Sequence, residues 1–462
     1  VGEFDADKTL AQILELKPRP KVASTDLVTE DSAALEFARR FDGKLRYDHD
    51  ASKWFEFDGN VWRLNKTCLA FHWARELARE LAQAEADKIR YVSSKVSFAS
   101  GVERFSRADR AFAVTSEMWD LDHFLLGTPD GTVDLRTGRL RQSNPDDGIT
   151  KSTAVSPADA ADCRQWLRFL DETTRGDAEL IRFLQQFFGY SLTGNTMEHA
   201  LLFGHGGGGN GKGVTLTTVG GILGDYHVTA SMDMFIASAH DRHPTDLAML
   251  RGARLVTASE TEKGRAWAET RIKSLTGGDP VTARFMNRDF FTYQPTFKLF
   301  IVGNDSPALS SVDDAARRRF NIVGFTNKPE KPDLELGDKL RAEWPSILRW
   351  MIDGCLDWQR NRLVRPKSVI AATSDYFTAQ DMLGQWLDER CDCEPGNTYK
   401  TATSGEAFSD WVSYAKAAGE PPSSQKAFAE NLTKRGFTKS RGHGGKRMFV
   451  GVRLKTPQNS NL

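Results

Sequence analysis

The run HALLF followed by GHGGGGNGKGVTL, residues 199–216, constrains this chain more than any other stretch. An apolar strand, a glycine-rich turn and a helix, in that order, form the frame in which a backbone can wrap phosphate. Gly206-x-x-x-x-Gly211-Lys212 has the spacing of such a loop. Glycines let successive N–H groups turn inward without Cβ obstruction, and the positive end of the next helix faces the anion. The candidate cradle is Gly206, Gly207, Gly208, Gly209, Asn210, Gly211, Lys212, Gly213 and Val214, with Lys212 reaching the β- and γ-phosphates. A Gly-rich hinge is the plain alternative, but flexible linkers seldom sit between a buried strand and a helix. Gly213 stands where such loops carry Ser or Thr, so it offers Mg²⁺ no hydroxyl. Either water fills that position, which Mg²⁺ tolerates, or Thr215 helps.

Nucleotide hydrolysis also needs carboxylates at the end of a neighbouring strand. ARLVTASETE supplies Glu260 and Glu262, one to hold Mg²⁺ and the other to orient or deprotonate water. Glu260 is the metal candidate. A further apolar run, FKLFIVGN, ends in Asn304, placed to meet the γ-phosphate or its water. DDAARRRF then carries Arg318 and Arg319, which could pair with acids on a helix or complete the site of a neighbouring subunit. Between these segments, VTARF and FFTYQ are expected to pair about Met286-Asn287-Arg288, with Arg284 and Arg288 on or near a projecting hairpin. A charged surface turn is the plainer alternative there.

At 462 residues the chain has room for two or three domains. Residues 1–35 read as a polar linker or arm. KWFEFDGNVWRL predicts a hairpin about Asp58-Gly59-Asn60, and Leu69, Trp73, Leu77 and Leu81 recur at helical spacing. A second hairpin is expected at Asp130-Gly131, with a further turn at Thr137-Gly138, followed by two amphipathic helices up to Leu192. Residues 36–195 thus read as a mostly helical unit. Strands and helices alternate over 196–365, which predicts an α/β domain with a largely parallel sheet. Residues 366–462 read as three helices and a hairpin, a winged-helix pattern. Its basic residues Lys434, Arg435, Arg441, Lys446 and Arg447 are candidate DNA contacts.

Lys+Arg and Asp+Glu both total 62, so net charge selects no partner class. The five cysteines form neither a zinc pattern nor a disulfide framework, which points to a reducing compartment. No apolar run approaches the ~20 residues that span a bilayer, and no signal peptide opens the chain. The opening VGEF lacks Met, as a piece of a longer protein would.

GNGKGV, RLVTASETEKGR, SLTGGDPVTARF, FKLFIVGN and DDAARRRF, in that order, resemble the superfamily 3 helicase module of phage and plasmid primase-helicases. The poxvirus primase-helicase is a more distant likeness. The resemblance covers 199–330 strongly. It extends to a helical domain before the module, through DGTVDLRTG, and to a winged helix after it. It implies an AAA+-like P-loop ATPase core with a mostly helical, collar-like N-terminal domain and a C-terminal winged-helix domain. It also implies a ring, usually hexameric, that uses ATP and Mg²⁺ to move 3′ to 5′ on single-stranded DNA and open forks. By motif match, Gly211 and Lys212 fall in Walker A, Glu260 and Glu262 in Walker B and Asn304 in the sensor position. Arg318 or Arg319 is then the arginine finger, and Arg284 and Arg288 fall in the DNA-contacting hairpin.

The glycine loop is longer than the family's usual form, and Gly213 departs from it. No primase domain precedes the module in this chain, so primer synthesis by it is not expected; a primase or polymerase is a possible partner, whether fused or recruited. The expected place of action is the cytoplasm of a bacterial host, without a membrane. Two other classes stay open: an ATP-regulated initiator or loader that does not unwind, and a metabolic phosphotransferase that would need no arginine in trans.

Overall fold

The computed structural model describes residues 28–238, 245–259, 265–286, 289–309, 314–418, 422–442 and 445–455. The chain divides into two compact units. One holds the described residues up to Leu121 together with Ser143–Thr150, and the other holds Asp122–Gln142 and Lys151 onward. Residues 36–195 are therefore shared between the two units.

In the first unit, α1 (Glu30–Phe41) begins at Thr29, whose hydroxyl accepts from Ser32 N. It is followed by β1 (Leu45–Asp48), β2 (Lys53–Phe57), β3 (Trp62–Leu64), α2 (Leu69–Leu81), α3 (Asp87–Ser93), α4 (Val96–Ala108) and β4 (Ala113–Val114). The hairpin forms as expected, with Phe57 opposite Trp62 across the Asp58-Gly59-Asn60 turn. The strands order β3-β2-β1-β4. β1 did not stand out in sequence, because LRYD is four residues with only local alternation.

The second unit opens with a meander, β5 (Leu125–Thr128), β6 (Gly131–Asp134) and β7 (Arg139–Arg141), turning at both expected glycines. Helices α5 (Arg164–Thr174) and α6 (Ala178–Tyr190) follow. The central part contains β8 (Leu201–His205), α7 (Lys212–Leu223), β9 (His227–Thr229), α8 (Thr245–Ala248), β10 (Leu255–Ser259), α9 (Glu269–Gly277), β11 (Val281–Ala283), β12 (Phe291–Tyr293), β13 (Lys298–Gly303), α10 (Asp314–Arg319) and β14 (Phe320–Gly324). Five of these strands form one parallel sheet in the order β14-β8-β13-β10-β9.

Strands β8, β10 and β13 are near-continuous apolar runs because both faces are covered. Alternation assigns Leu202, Phe300 and Val323 to one core, beneath α5, α6 and α7. Leu201, Phe203, Ile301 and Ile322 go to the other, which contains Trp267 and Phe377. β9 and β14 are strands that the sequence reading did not single out.

After the sheet come α11 (Leu336–Ala342), α12 (Trp344–Asn361) and α13 (Lys367–Gln380). Helices α6 and α12 cross at a pair of glycines. A Cβ on Gly189 would lie 2.2 Å from Cys355 N, and one on Gly354 would lie 2.1 Å from the Gln185 carbonyl oxygen. Gly354→Ala must push the helices apart and is expected to cost about 1–3 kcal/mol, read as a fall of several degrees in Tm. An unchanged thermal transition would show that the crossing is loose.

The C-terminal part contains α14 (Met382–Arg390), β15 (Cys391–Cys393), β16 (Thr401–Thr403), α15 (Ser404–Ala417), α16 (Gln425–Lys434), β17 (Thr438–Arg441), β18 (Arg447–Val450) and β19 (Val452–Leu454). Three helices were expected over 366–462 and four form among the described residues, because the first is broken at Asp381. Its carboxylate caps α14 by accepting from Gly384 N at 2.9 Å. Strands β16-β18-β17 form one small sheet, and β19 pairs with β15. Cys391 and Cys393 lie in β15, and the described residues contain no metal-ligand cluster. No helix among them is long and apolar enough to cross a membrane.

Candidate functional site

β8 is buried until its last residue and delivers the chain to the glycine-rich turn at the C-terminal edge of the sheet. Two glycines there cannot be replaced freely. Gly206 has φ near +150°, and a Cβ on it would lie 2.0 Å from the Phe325 carbonyl oxygen. Gly211 has φ near +90°, and a Cβ on it would meet the Phe169 ring at 2.9 Å. Gly207 and Gly208 face open space. The turn is therefore held on one side by α5 and on another by the segment after β14, with a free face between.

Lys212 is the first residue of α7 and only 8% exposed. Its ammonium donates to the carbonyl oxygens of Gly206 and Gly207, the latter at 2.9 Å. It also donates to Asn210 Oδ1 at 3.0 Å and to Asn304 Oδ1 at 3.4 Å. Asn210 is oriented by its own amide, which donates to the Phe325 carbonyl. Burial holds the Lys212 ammonium below the usual lysine value. His205, at the end of β8, is also pushed down, first by burial and then by the charge of Lys212. The arrangement is a partly desolvated cation over carbonyls, the kind of contact an incoming anion can exchange.

Asn304 follows β13 directly and is exposed apart from this contact, so the first and third sequence motifs meet at the Lys212 ammonium. β10 ends at Ser259, opposite Val302 of β13. The next carboxylates, Glu260 and Glu262, lie outside the described residues. Thr215 was expected as a possible metal helper. Its hydroxyl is fully buried and donates back to the Gly211 carbonyl at 3.0 Å. Gly213 is exposed, and a Cβ added to it would have nothing within 4 Å. Val214 is half-buried and packs against the first core.

The three arginines of α10 separate by environment. Arg317 lies over the Phe377 ring at 5.3 Å. Arg319 is half-buried, donates to the Ala315 carbonyl at 2.9 Å, and has a buried Nε without a partner among the described residues. Arg318 is exposed, and among the described residues its side chain makes only a bond of its Nε to the Asp314 carbonyl, at 3.2 Å.

β11 and β12 pair with Ala283 opposite Phe291, so the hairpin between motifs forms. Arg284 sits at its end, with its guanidinium 4.6 Å over the Phe290 ring. Arg288 lies outside the described residues. The sequence reading missed that Phe285, Met286 and Phe290 are all exposed near this tip. The signal was present as three large apolar side chains beside a turn.

The C-terminal basic residues also differ from one another. Arg435 pairs with Asp381 and is half-buried, so it anchors α16 to the cap of α14 and is not free for a ligand. Lys434 is exposed at the end of α16. Arg441, Lys446 and Arg447 line an open cleft of about 1070 Å³, joined by Lys426 and Lys439, with Glu406 and Glu430 on its wall. Arg441 lies directly opposite Arg447 across β17 and β18. Facing like charges destabilise a strand pair, which an anion between them would offset.

Comparison with known proteins adds to this geometry. The D5 N terminal like family matches residues 34–175, and a family of unknown function, DUF5906, matches residues 204–319. The chain is 23% identical over 296 residues to putative helicase L207/L206 of Acanthamoeba polyphaga mimivirus, covering 58% of this chain and 31% of that protein. It is 27% identical over 270 residues to putative helicase 022R of Frog virus 3 (isolate Goorha), covering 53% and 27%. The chain thus spans less than a third of either relative's length. Two apo structures of the NrS-1 C-terminal region share its fold at 10% identity, with TM-scores of 0.52 and 0.50, covering 92% of this chain and all of theirs. With its ordered motifs, the D5 N terminal like match and helicase-named viral relatives, the chain is similar to phage-like primase-helicases.

Proposed function

We propose that this chain is the ATP-dependent helicase module of a viral or plasmid replication protein. One observation carries the reading: the Lys212 ammonium rests on the carbonyls of the glycine turn and reaches Asn304. The turn at 206–211 is then a P-loop in an AAA+-like core of superfamily 3 type. A triphosphate takes the place of those carbonyl contacts around Lys212, and the backbone N–H groups of the turn and of the start of α7 bind its oxygens. Asn304 aligns the terminal phosphate or its water, and Glu260 with Glu262 supplies the carboxylates. Mg²⁺, when bound, offsets phosphate charge. Glu260 and waters would hold it, because Gly213 has no hydroxyl and that of Thr215 is fully buried and bonded to Gly211.

Arg318 is the finger, presented to the next protomer of a ring, with six subunits the expected number. Arg317 is held at Phe377 and Arg319 is folded onto its own helix. The hairpin carrying Arg284 and Arg288 follows single-stranded DNA, and the C-terminal part acts as a winged helix on duplex or forked DNA. Lys434 and the basic cleft at Arg441, Lys446 and Arg447 contact phosphates there. Movement 3′ to 5′ and action in a bacterial cytoplasm follow from the family resemblance, and a primase or polymerase is the expected partner. The test is ATP turnover with and without single-stranded DNA, together with strand displacement from substrates bearing a 3′ or a 5′ tail. Turnover that ignores DNA, with no displacement from either, sinks the motor.

The bare Gly213 favours a second reading, an ATP-regulated initiator or loader with slow hydrolysis. Gly213→Ser distinguishes the two. The added side chain has open space and restores a hydroxyl at the start of α7. It is expected to lower the Mg²⁺ concentration for half-maximal nucleotide binding several-fold, and to favour the helix by about 0.5 kcal/mol. If turnover rises sharply with it, the natural chain is a slow hydrolase and the loader reading gains.

A further inference from the structure

We propose that Lys328 is a second lysine of the nucleotide site, binding the polyphosphate alongside Lys212. The proposal rests on the nucleotide-site reading above and extends it to a residue outside the sequence motifs. Directly after β14, Phe325 N donates to the His205 carbonyl at 2.7 Å. The Phe325 carbonyl accepts from Asn210, and its oxygen is what forbids a side chain at Gly206. Two residues on, Asn327 Nδ2 donates to the Glu172 carbonyl of α5 at 2.6 Å. Segment 325–327 is thus fastened both to the glycine turn and to the helix beside it.

Lys328 follows at once. Its stem lies along the turn, with Cε 3.3 Å and Cγ and Cδ 3.9 Å from the position of a Cβ on Gly209. The side chain is exposed and makes no hydrogen bond or ion pair among the described residues. A lysine with a fixed stem and an uncommitted head beside an anion cradle has lost part of its freedom before the ligand arrives. Its ammonium is a compact point charge suited to phosphate. At a site where Gly213 contributes no metal ligand, this second cation offsets charge that Mg²⁺ is less firmly held to neutralise.

The test uses the full chain and a fluorescent, non-hydrolysable ATP analogue. Lys328→Met keeps the stem and removes the charge. It is expected to weaken binding about tenfold, to raise the Mg²⁺ requirement and to flatten the salt dependence. Lys328→Arg should restore most of the affinity, and thermal unfolding without nucleotide should match that of the unsubstituted chain. Binding by Lys328→Met within twofold of the unsubstituted chain overturns the proposal, as does weakening that Lys328→Arg fails to reverse. Lys212→Ala run in parallel separates the two levels. If it loses binding while Lys328→Met does not, only Lys328 is wrongly assigned. If the unsubstituted chain binds no analogue, the nucleotide site itself is wrong.

Discussion

Lys212→Ala is expected to reduce ATP turnover by at least about 10³-fold in kcat/KM, equivalent to about 4 kcal/mol. Lys212 is only 8% exposed, and its ammonium is the sole cation bonded to the turn's carbonyls among the described residues. Nothing else in the turn can replace it at that point. The variant should remain folded, since Lys212 begins α7 and does not form its apolar face. Unaltered circular dichroism with lost turnover is the expected pair of results. A proton-linked effect accompanies it. In the free site, burial depresses the ammonium's pKa, and a bound polyphosphate raises it again. Between the two values, binding takes up a proton, so nucleotide affinity falls as pH rises through that window. Calorimetry in buffers of different ionisation enthalpy reads this uptake directly. Full turnover in Lys212→Ala would remove the site from consideration.

Arg318→Ala is expected to lower kcat by roughly 10³-fold or more while changing nucleotide affinity little, because a finger acts on charge that develops during transfer. Arg317→Ala should lose mainly its contact with Phe377, a stability effect of about 0.5–1 kcal/mol because the guanidinium itself is exposed. Mixing supplies the decisive measurement. Lys212→Ala protomers retain Arg318, and Arg318→Ala protomers retain Lys212. Random co-assembly would rebuild a complete site at roughly a quarter of the interfaces. Activity in the mixture above that of both parents supports a shared site. A mixture no better than its parents would mean that each protomer works alone, which is what a metabolic phosphotransferase requires.

Legibility in the sequence followed how local the cause was. The glycine turn declared itself because its geometry depends on residues within the turn, and β8, β10 and β13 did so as apolar runs covered on both faces. β9 is three residues long and β14 begins directly behind the arginine triplet; each becomes a strand by pairing with β10 or β8. The break between α13 and α14 left no trace in the apolar spacing, since Asp381 stops the helix with a hydrogen bond. Asp381 also holds Arg435, 54 residues away in the chain, so the charge pattern alone could not tell that arginine from its neighbours. The role of Lys328 is of the same kind, since its position depends on how β14 delivers the chain to the turn. The carboxylates of the second motif, Glu260 and Glu262, were legible only as residues following a strand.

The contact of Phe169 with Gly211 has a practical consequence for dissecting the molecule. The D5 N terminal like match runs to residue 175 and so takes in α5, whereas the compact unit before it closes at Thr150. Trimming at the family border would strip away the aromatic buttress of the glycine turn, along with the meander of β5–β7. A minimal working fragment should instead start by Asp122, before that meander, even though family boundaries suggest a cut some fifty residues later.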